Sequence, residues 1–288
     1  VGAWELRRHL DSFSLAVYRL IAPSCRYFKW RYPIAPQPYR SCAICQPHYL
    51  PWIGYFEMID RVDIFVFLDD VQYVKREWQN RNKIRKYNNS TEFKWVSVPI
   101  SNDSKRNKDP INKAIVSDTI NWEIEHRNAF EQIYSQSPYF QTFGPVLCDI
   151  LTKYPGRTLA ELNVALTSEI CRFLGISTPL LLSSHLNSVG KREHRLLSIC
   201  KEIEADFYLA NNATANYVDA EFFRTEHIEF STQDYDHPTY RQCSGGTDLE
   251  FIPYLSVIDL LFNFGGSSLE IIRSGRPVNG SPTTENSS

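Results

Sequence analysis

The chain has a single Met, almost no net charge and no run of about 18 apolar residues. The last absence leaves no candidate for a membrane-spanning helix. A formal net charge of −2 at pH 7 argues against a general nucleic-acid binder, although a local basic site is compatible with it. No G-x-G-x-x-G or G-x-x-x-x-G-K-[ST] fingerprint occurs, so neither standard phosphate-cradling loop is available. The cysteines, Cys25, Cys42, Cys45, Cys148, Cys171, Cys200 and Cys243, are odd in number and scattered, which excludes a secreted disulfide framework. Cys42-Ala-Ile-Cys45 has the C-x-x-C form. It lacks the second pair a zinc site needs and lies in an apolar stretch rather than at a helix start. Buried structural thiols in a reducing, cytoplasmic compartment are therefore expected.

What is present is an ordinary globular composition, 43% hydrophobic and 22% charged, with 6 Trp, 16 Tyr and 17 Phe. A chain of 288 residues can bury roughly three quarters of its unfolded surface and needs no staples. Residues 1–40 stand apart. They carry Arg7, Arg8, Arg19, Arg26, Lys29, Arg31 and Arg40 against only Glu5 and Asp11, and end in the proline-spaced Pro33-Ile-Ala-Pro36-Gln-Pro38. An Arg-rich, acid-poor segment reads either as a targeting peptide or as a poorly ordered basic extension. The tail 276–288 has no core-forming residues and is expected to be disordered.

Between these lies one domain, 41–275. Cys42–Cys45 is a short apolar run, Ile53–Arg61 has Ile53, Phe56 and Ile59 at helical spacing, and Asp63–Leu68 is a second apolar run. Uninterrupted runs of this kind mark strands buried on both faces, and strand–helix–strand within about 28 residues is a βαβ unit. Further strands are expected at Phe93–Val98, Pro179–Ser183 and Phe207–Ala210. Helices are expected at Trp122–Tyr134, Val146–Tyr154, Lys191–Ile203 and Ser256–Phe264. Thr158-Leu-Ala-Glu161 is a capping box whose helix should stop at Gly175. The fold class is α/β: a mostly parallel sheet with flanking helices and a more helical C-terminal half.

Ligands of open α/β sheets bind beyond the carboxyl ends of the strands. The first strand runs into Gln46-Pro-His48-Tyr49-Leu-Pro-Trp52 and the second into Asp69-Asp70-Val-Gln72-Tyr73, so these residues should share one crevice. His48 is either a satisfied, partly buried histidine or an acid/base group. Asp69 and Asp70 either end a strand in a turn, hold Mg²⁺, or supply a base. Trp78-Gln-Asn80-Arg81-Asn82-Lys83 follows, with cations and amides suited to a phosphate or pyrophosphate, or to a solvated loop. Lys191, after Gly190, either reaches a second anionic group or is a surface lysine. The glycines of Ser244-Gly-Gly-Thr247 read as a turn.

Three blocks, Gln46-Pro-His-Tyr-Leu-Pro-Trp-Ile-Gly-Tyr-Phe56, Asp63-Ile-Phe-Val-Phe-Leu-Asp-Asp-Val-Gln-Tyr73 and Trp78-Gln-Asn-Arg-Asn-Lys-Ile84, resemble the WbqC-like protein family. A fourth, Phe251–Gly265, fits it as well, so the resemblance covers roughly 42–272. Members occur with O-antigen and other surface-polysaccharide genes, and a role in adding glycine or another aminoacyl group to an amino sugar has been suggested. The N-terminal half is also similar to the opening of pantothenate synthetase and related nucleotidyltransferases. The H-x-G-H of those enzymes is replaced here by Trp52-Ile-Gly-Tyr55, which takes away histidines that would grip ATP.

The resemblance implies an acyl or aminoacyl transferase forming an amide on a nucleotide-activated amino sugar, with an activated amino-acid donor. On this reading His48 or Asp70 takes the proton, and Tyr49, Trp52, Tyr73 and Trp78 stack on base or sugar. Arg81, Lys83 and Lys191 bind the diphosphate, while Gln46, Gln72, Asn80 and Asn82 orient the donor. Two other readings stay open: a nucleotidyltransferase-like enzyme using ATP or CTP with Mg²⁺ on Asp69 or Asp70, and a non-enzymatic module that binds sugar nucleotides or a protein.

Overall fold

The computed structural model describes residues 39–87, 91–215, 218–244 and 247–277. The basic segment 1–40, apart from its last two residues, and the tail 276–288, apart from its first two, lie outside them, as do Cys25 and the pair Gly245-Gly246. Five strands form one parallel sheet: β1 (Ser41–Cys45), β2 (Ile64–Phe67), β5 (Leu180–Leu182), β6 (Phe207–Ala210) and β7 (Glu229–Thr232). Their spatial order is β5-β2-β1-β6-β7. The β1–α1–β2 unit forms as its apolar runs require, with α1 at Ile53–Arg61 and Cys42 opposite Ile64 through Cys45 opposite Phe67.

β1 is the central strand, and its two faces feed two cores. Ala43 and Cys45 join Phe65, Phe67 and Leu209 against α1 and the helices α3 (Trp122–Tyr134), α4 (Phe140–Leu151), α5 (Leu159–Leu174) and α9 (Val257–Phe264). Cys42 and Ile44 join Val66 and Tyr208 against α6 (Glu193–Glu202) and α8 (Ala220–Thr225). Residues three apart on a strand point to opposite faces, so the C-x-x-C cysteines belong to different cores. Cys42 lies beside Cys200, sulfur to sulfur 3.7 Å. Cys42, Cys45, Cys148, Cys171 and Cys200 are buried free thiols.

Several elements differ from the sequence expectation for physical reasons. Phe93–Val98 does form a strand, β4 (Phe93–Ser97), but it pairs antiparallel with β3 (Arg81–Arg85) in a separate hairpin. A strand reading Arg-Asn-Lys-Ile-Arg hides its period of two because only Ile84 is apolar. β7 is likewise too polar to read as a strand. Helix α4 starts at Phe140 and carries Pro145 within it, on an exposed position where one missing N–H is tolerable. The short helices α2 (Asn102–Asn107) and α7 (Asn212–Ala215), the terminal α10 (Ser268–Ser274) and the hairpin of β8 (Gln242–Ser244) with β9 (Thr247–Leu249) complete the fold. The Thr158 capping box forms, and α5 ends at Gly175 with φ 76°.

His126 on α3 is buried and shares a 2.8 Å hydrogen bond with the buried Tyr49 hydroxyl. Burial, reinforced by the charge of Lys94, pushes its pKa down to about 4. The unfolded chain therefore binds a proton at this residue that the folded chain refuses. Stability is fully present above the ordinary histidine range and falls as pH drops through it towards 4. The loss from this one group grows to about 3 kcal/mol at the acid end of that window. In His126→Gln, urea unfolding measured between pH 7 and 4 should show a shallower fall than in the parent. An unchanged slope would mean that His126 does not titrate in this window.

Candidate functional site

The strand order reverses direction at β1: β2 and β5 lie to one side of it, β6 and β7 to the other. The crevice beyond the carboxyl ends of β1 and β6 is the topological switch point, where adjacent loops diverge and leave space for a ligand. A cavity of about 600 Å³ is found there. Gln46 and His48 come from the loop after β1, Asn211 and Thr214 from the turn after β6, and Gln233 and Tyr235 from the loop after β7. Trp52 and Tyr55, around the start of α1, and Glu77, Trp78 and Gln79 also line it, together with apolar side chains such as Met58, Leu68 and Leu196.

The loop from Gln46 to Trp52 is buried at Pro47 and Tyr49–Pro51 and half-buried at Gln46, His48 and Trp52 but has no ladder of its own, so its carbonyls need other donors. The Tyr55 hydroxyl donates to Gln46 O at 2.9 Å, and Asn163 Nδ2 donates to Pro47 O at 3.0 Å and to Gln79 O at 2.7 Å. Asn82 Nδ2 donates to Tyr49 O at 3.2 Å and to Leu50 O at 2.7 Å, and Val257 N donates to Pro51 O at 2.9 Å. Leu50 sits at φ 43°, a left-handed conformation that a branched side chain rarely adopts. Gly54 lacks a side chain where one is impossible, since a Cβ would fall 2.2 Å from the Trp52 indole lying across it.

These bonds also decide which polar atoms the cavity is offered. Both protons of the Gln233 amide nitrogen are engaged, by Gly54 O at 2.7 Å and the buried Glu57 carboxylate at 2.6 Å, so its oxygen remains as an acceptor. Gln46 Oε1 accepts from Gln79 Nε2 at 2.7 Å, so Gln46 keeps its nitrogen as a donor. Asn211 Oδ1 accepts from Thr214 N at 2.7 Å and so fixes the turn after β6. His48 packs against the Tyr55 ring, with centroids 5.2 Å apart, and burial pushes its pKa down to about 4. Its imidazole is therefore neutral at pH 7. Cys45 lies in the wall as well, but burial pushes its thiol up to about 12 and it is no nucleophile. The cavity is lined by aromatics, amides and apolar side chains, with Glu77 its one acidic residue and no Lys or Arg among the described lining residues.

Of the residues expected at one crevice, the structure brings Gln46, His48, Trp52 and Trp78 to this cavity. Others are used elsewhere. Tyr49 is buried against His126, and Asn82 and Asn80 are buried donors to carbonyls, Asn80 to Val98 O at 2.9 Å. Tyr73 is buried beside the Asp109 carbonyl, while Gln72 is exposed in a bridge to Pro110. Asp69 accepts from Ser184 N (2.9 Å) and Ser184 Oγ (2.7 Å), Asp70 pairs with Arg195, and the single Ser183 hydroxyl proton is shared between the two carboxylates, 2.7 Å from Asp70 and 3.1 Å from Asp69. With their oxygens committed to tying β2 to the chain after β5, these carboxylates do not fit a Mg²⁺ site, which needs free, hard oxygen ligands. Among the described residues no group of three or more His, Cys, Asp or Glu stands together. Lys191 is exposed in the loop before α6 rather than on the helix. Arg81 and Lys83 project from the β3–β4 hairpin.

Sequence reasoning missed Tyr55, Gln79, Asn211, Gln233 and Tyr235. Asn211 was within reach, because it follows Phe207–Ala210 and the strand-end rule applies to that strand too. Gln233 was not, because β7 gives no apolar signal.

Asn163 is the sharpest test of this construction. In Asn163→Ala two buried carbonyls lose their donor, which should cost about 3 kcal/mol of unfolding free energy. Asn163→Asp keeps the shape but turns an acceptor on the same carbonyls and should cost at least as much. Urea denaturation of both variants measures this, and a loss under about 0.5 kcal/mol would show that the loop does not depend on the clamp.

No helix among the described residues is long and apolar enough to cross a membrane. No solved structure matches the chain. It is 34% identical over 235 residues to the uncharacterized protein Rv1507c of Mycobacterium tuberculosis, an overlap of 81% of this chain and 98% of that protein. The model of the WbqC-like protein family matches residues 46–271, the span that holds the clamped loop, the cavity and the basic hairpin. The chain belongs to the WbqC-like protein family.

Proposed function

We propose that the protein is an acyl or aminoacyl transferase that forms an amide on an amino sugar in surface-polysaccharide biosynthesis. The observation that carries this reading is the aromatic and amide-lined cavity at the switch point, with the uncharged His48 imidazole in its wall. Aromatic faces and oriented amides are the chemistry that holds a sugar ring: Trp52 and Trp78 offer faces, the Gln233 oxygen an acceptor and the Gln46 nitrogen a donor. The amine of the sugar attacks the activated carbonyl carbon, a C–N bond forms, and the bond from that carbon to the leaving oxygen or sulfur breaks. The amine loses one proton on the way. His48 takes it and passes it to the leaving group, which departs as an alcohol or thiol. Gln46 donates to the carbonyl oxygen as negative charge gathers on it. Asp70, already paired with Arg195, is left out of the proton path. Arg81 and Lys83 lie outside the cavity and suit the diphosphate of a nucleotide-activated sugar.

The test is mass-spectrometric detection of the amide after the whole chain is incubated with nucleotide-linked amino sugars and aminoacyl thioester or ester donors. His48→Gln should lower kcat by about 10²–10³-fold with little change in sugar-nucleotide affinity. Because the imidazole pKa is about 4, any fall of the parent rate through the range where an ordinary histidine protonates should follow the attacking amine and be the same in His48→Gln. Product formed equally by His48→Gln would remove His48 from the chemistry. Pyrophosphate released from ATP or CTP would replace the reading with nucleotidyl transfer, and tight binding without product under every donor would replace it with a binding module.

A further inference from the structure

The outer face of the β3–β4 hairpin carries an arrangement that the cavity does not explain. Alternation along the two strands puts Arg81, Lys83, Arg85, Phe93, Trp95 and Ser97 on one face, with Lys83 directly opposite Trp95. Arg85, opposite Phe93, is fully buried and bonded to Gln242 and the Glu250 carbonyl, which leaves Arg81 and Lys83 as the accessible cations. Trp78, itself in the cavity wall, lies 5.7 Å from Trp95, and Trp95 lies 5.9 Å from Phe93, centroid to centroid. A string of rings thus runs from the cavity mouth outwards. All three are open to solvent, at 38%, 37% and 41% exposure respectively. Three neighbouring large aromatics left in water are costly unless they have a use.

The cations are placed to match. The Arg81 guanidinium lies 4.0 Å from the centre of the Trp95 ring, and Lys83 Nζ lies 4.5 Å from that of Phe93 and 5.5 Å from that of Trp95. Neither makes an ion pair among the described residues, whereas Lys86, further along the same strand direction, is neutralised by Glu92. Lys94, opposite Ile84, belongs to the other face. Two unpaired cations two residues apart on a strand stand roughly 6–7 Å apart along it, the reach of a diphosphate rather than of a long polyanion.

We infer that this hairpin face is the subsite for the nucleoside diphosphate end of the sugar substrate, with the diphosphate on Arg81 and Lys83 and the base on Trp95 and Phe93. This deepens the transferase reading and rests on it for the sugar in the cavity. Flat, water-exposed rings suit a base, which needs a face and tolerates solvent at its edges. A prenyl chain would need an enclosed apolar channel, and the rings here line none among the described residues. A nucleic-acid strand would need a longer run of cations than two.

The experiment is calorimetric titration of the whole chain with UDP, CDP, GDP and dTDP, with inorganic pyrophosphate and geranyl diphosphate as comparisons. At least one nucleoside diphosphate should bind about tenfold or more tightly than pyrophosphate. Trp95→Ala should lose about tenfold for that nucleotide and nothing for pyrophosphate, and Lys83→Ala should weaken both. Phe93→Ala, at the most exposed of the rings, repeats the Trp95 measurement with the least risk to folding. Geranyl diphosphate binding more tightly than every nucleotide would overturn the assignment. So would a nucleotide affinity no better than that of pyrophosphate, or equal losses for both ligands in Trp95→Ala. Nucleotide binding of the expected pattern without amide product keeps the subsite and rejects the transferase. Amide product with an affinity blind to the nucleoside rejects the subsite and keeps the transferase.

Discussion

A loop without regular structure can be buried only if each of its carbonyls meets a donor, because an unmet carbonyl in the interior costs as much as the fold gains from several good contacts. The segment Gln46–Trp52 is such a loop, and the construction around it follows from this need. Asn82 and Asn163 each bridge two carbonyls with one amide nitrogen, Tyr55 caps a fifth, and the backbone of Val257, at the start of α9, caps a sixth. Elements distant in sequence, β3, α5 and α9, are thereby tied to one turn of chain. The left-handed Leu50 is held between them, its carbonyl gripped by Asn82 at 2.7 Å. Without that net the loop would relax, and with it would go the positions of Gln46, His48 and Trp52.

The same net explains why a polar motif beside a strand end was easy to find and easy to misread. Trp78-Gln-Asn-Arg-Asn-Lys divides its labour by side-chain direction. Asn80 and Asn82 point inward and satisfy carbonyls, Arg81 and Lys83 lie half-buried on the opposite face against Trp95 and Phe93, and Gln79 braces Gln46. Composition shows amides and cations together, but only strand alternation separates them, and β3 hides its alternation because its outward and inward positions are both polar. The parallel sheet itself was legible, because Cys42–Cys45, Ile64–Phe67 and Phe207–Ala210 are apolar throughout and can be nothing but strands buried on both faces. Strand order was not legible. Whether Phe207–Ala210 joins next to β1 or beyond β5 depends on long-range packing, and that choice puts Asn211 rather than Asp69 beside His48.

Asp69 and Asp70 make the same point about charge. A pair of carboxylates at a strand end has several chemical uses, and the sequence cannot show that Ser183, Ser184 and Arg195 will arrive from beyond β5 to take up their oxygens. Once they do, the pair is a strut. Two residues tied by several charge-assisted hydrogen bonds fix the edge of the sheet but have little left with which to accept a proton or a metal.

The separation between a cavity without cations and a basic hairpin matters for the chemistry on the transferase reading. A base must be unprotonated before it can take a proton, and His48 is kept so by burial alone. An anion held against its ring would favour the imidazolium and work against that effect. A diphosphate drawn into the cavity would do this, and would itself have to be stripped of water with no cation in the wall to compensate. Seated on Arg81 and Lys83 at the hairpin surface, the diphosphate stays hydrated, meets its counter-charges and is screened by salt from the imidazole. The sugar then reaches into the cavity as an uncharged ring on the far side of Trp78. On this reading binding energy is gathered where water and cations stabilise charge, and the proton moves where burial keeps the base uncharged.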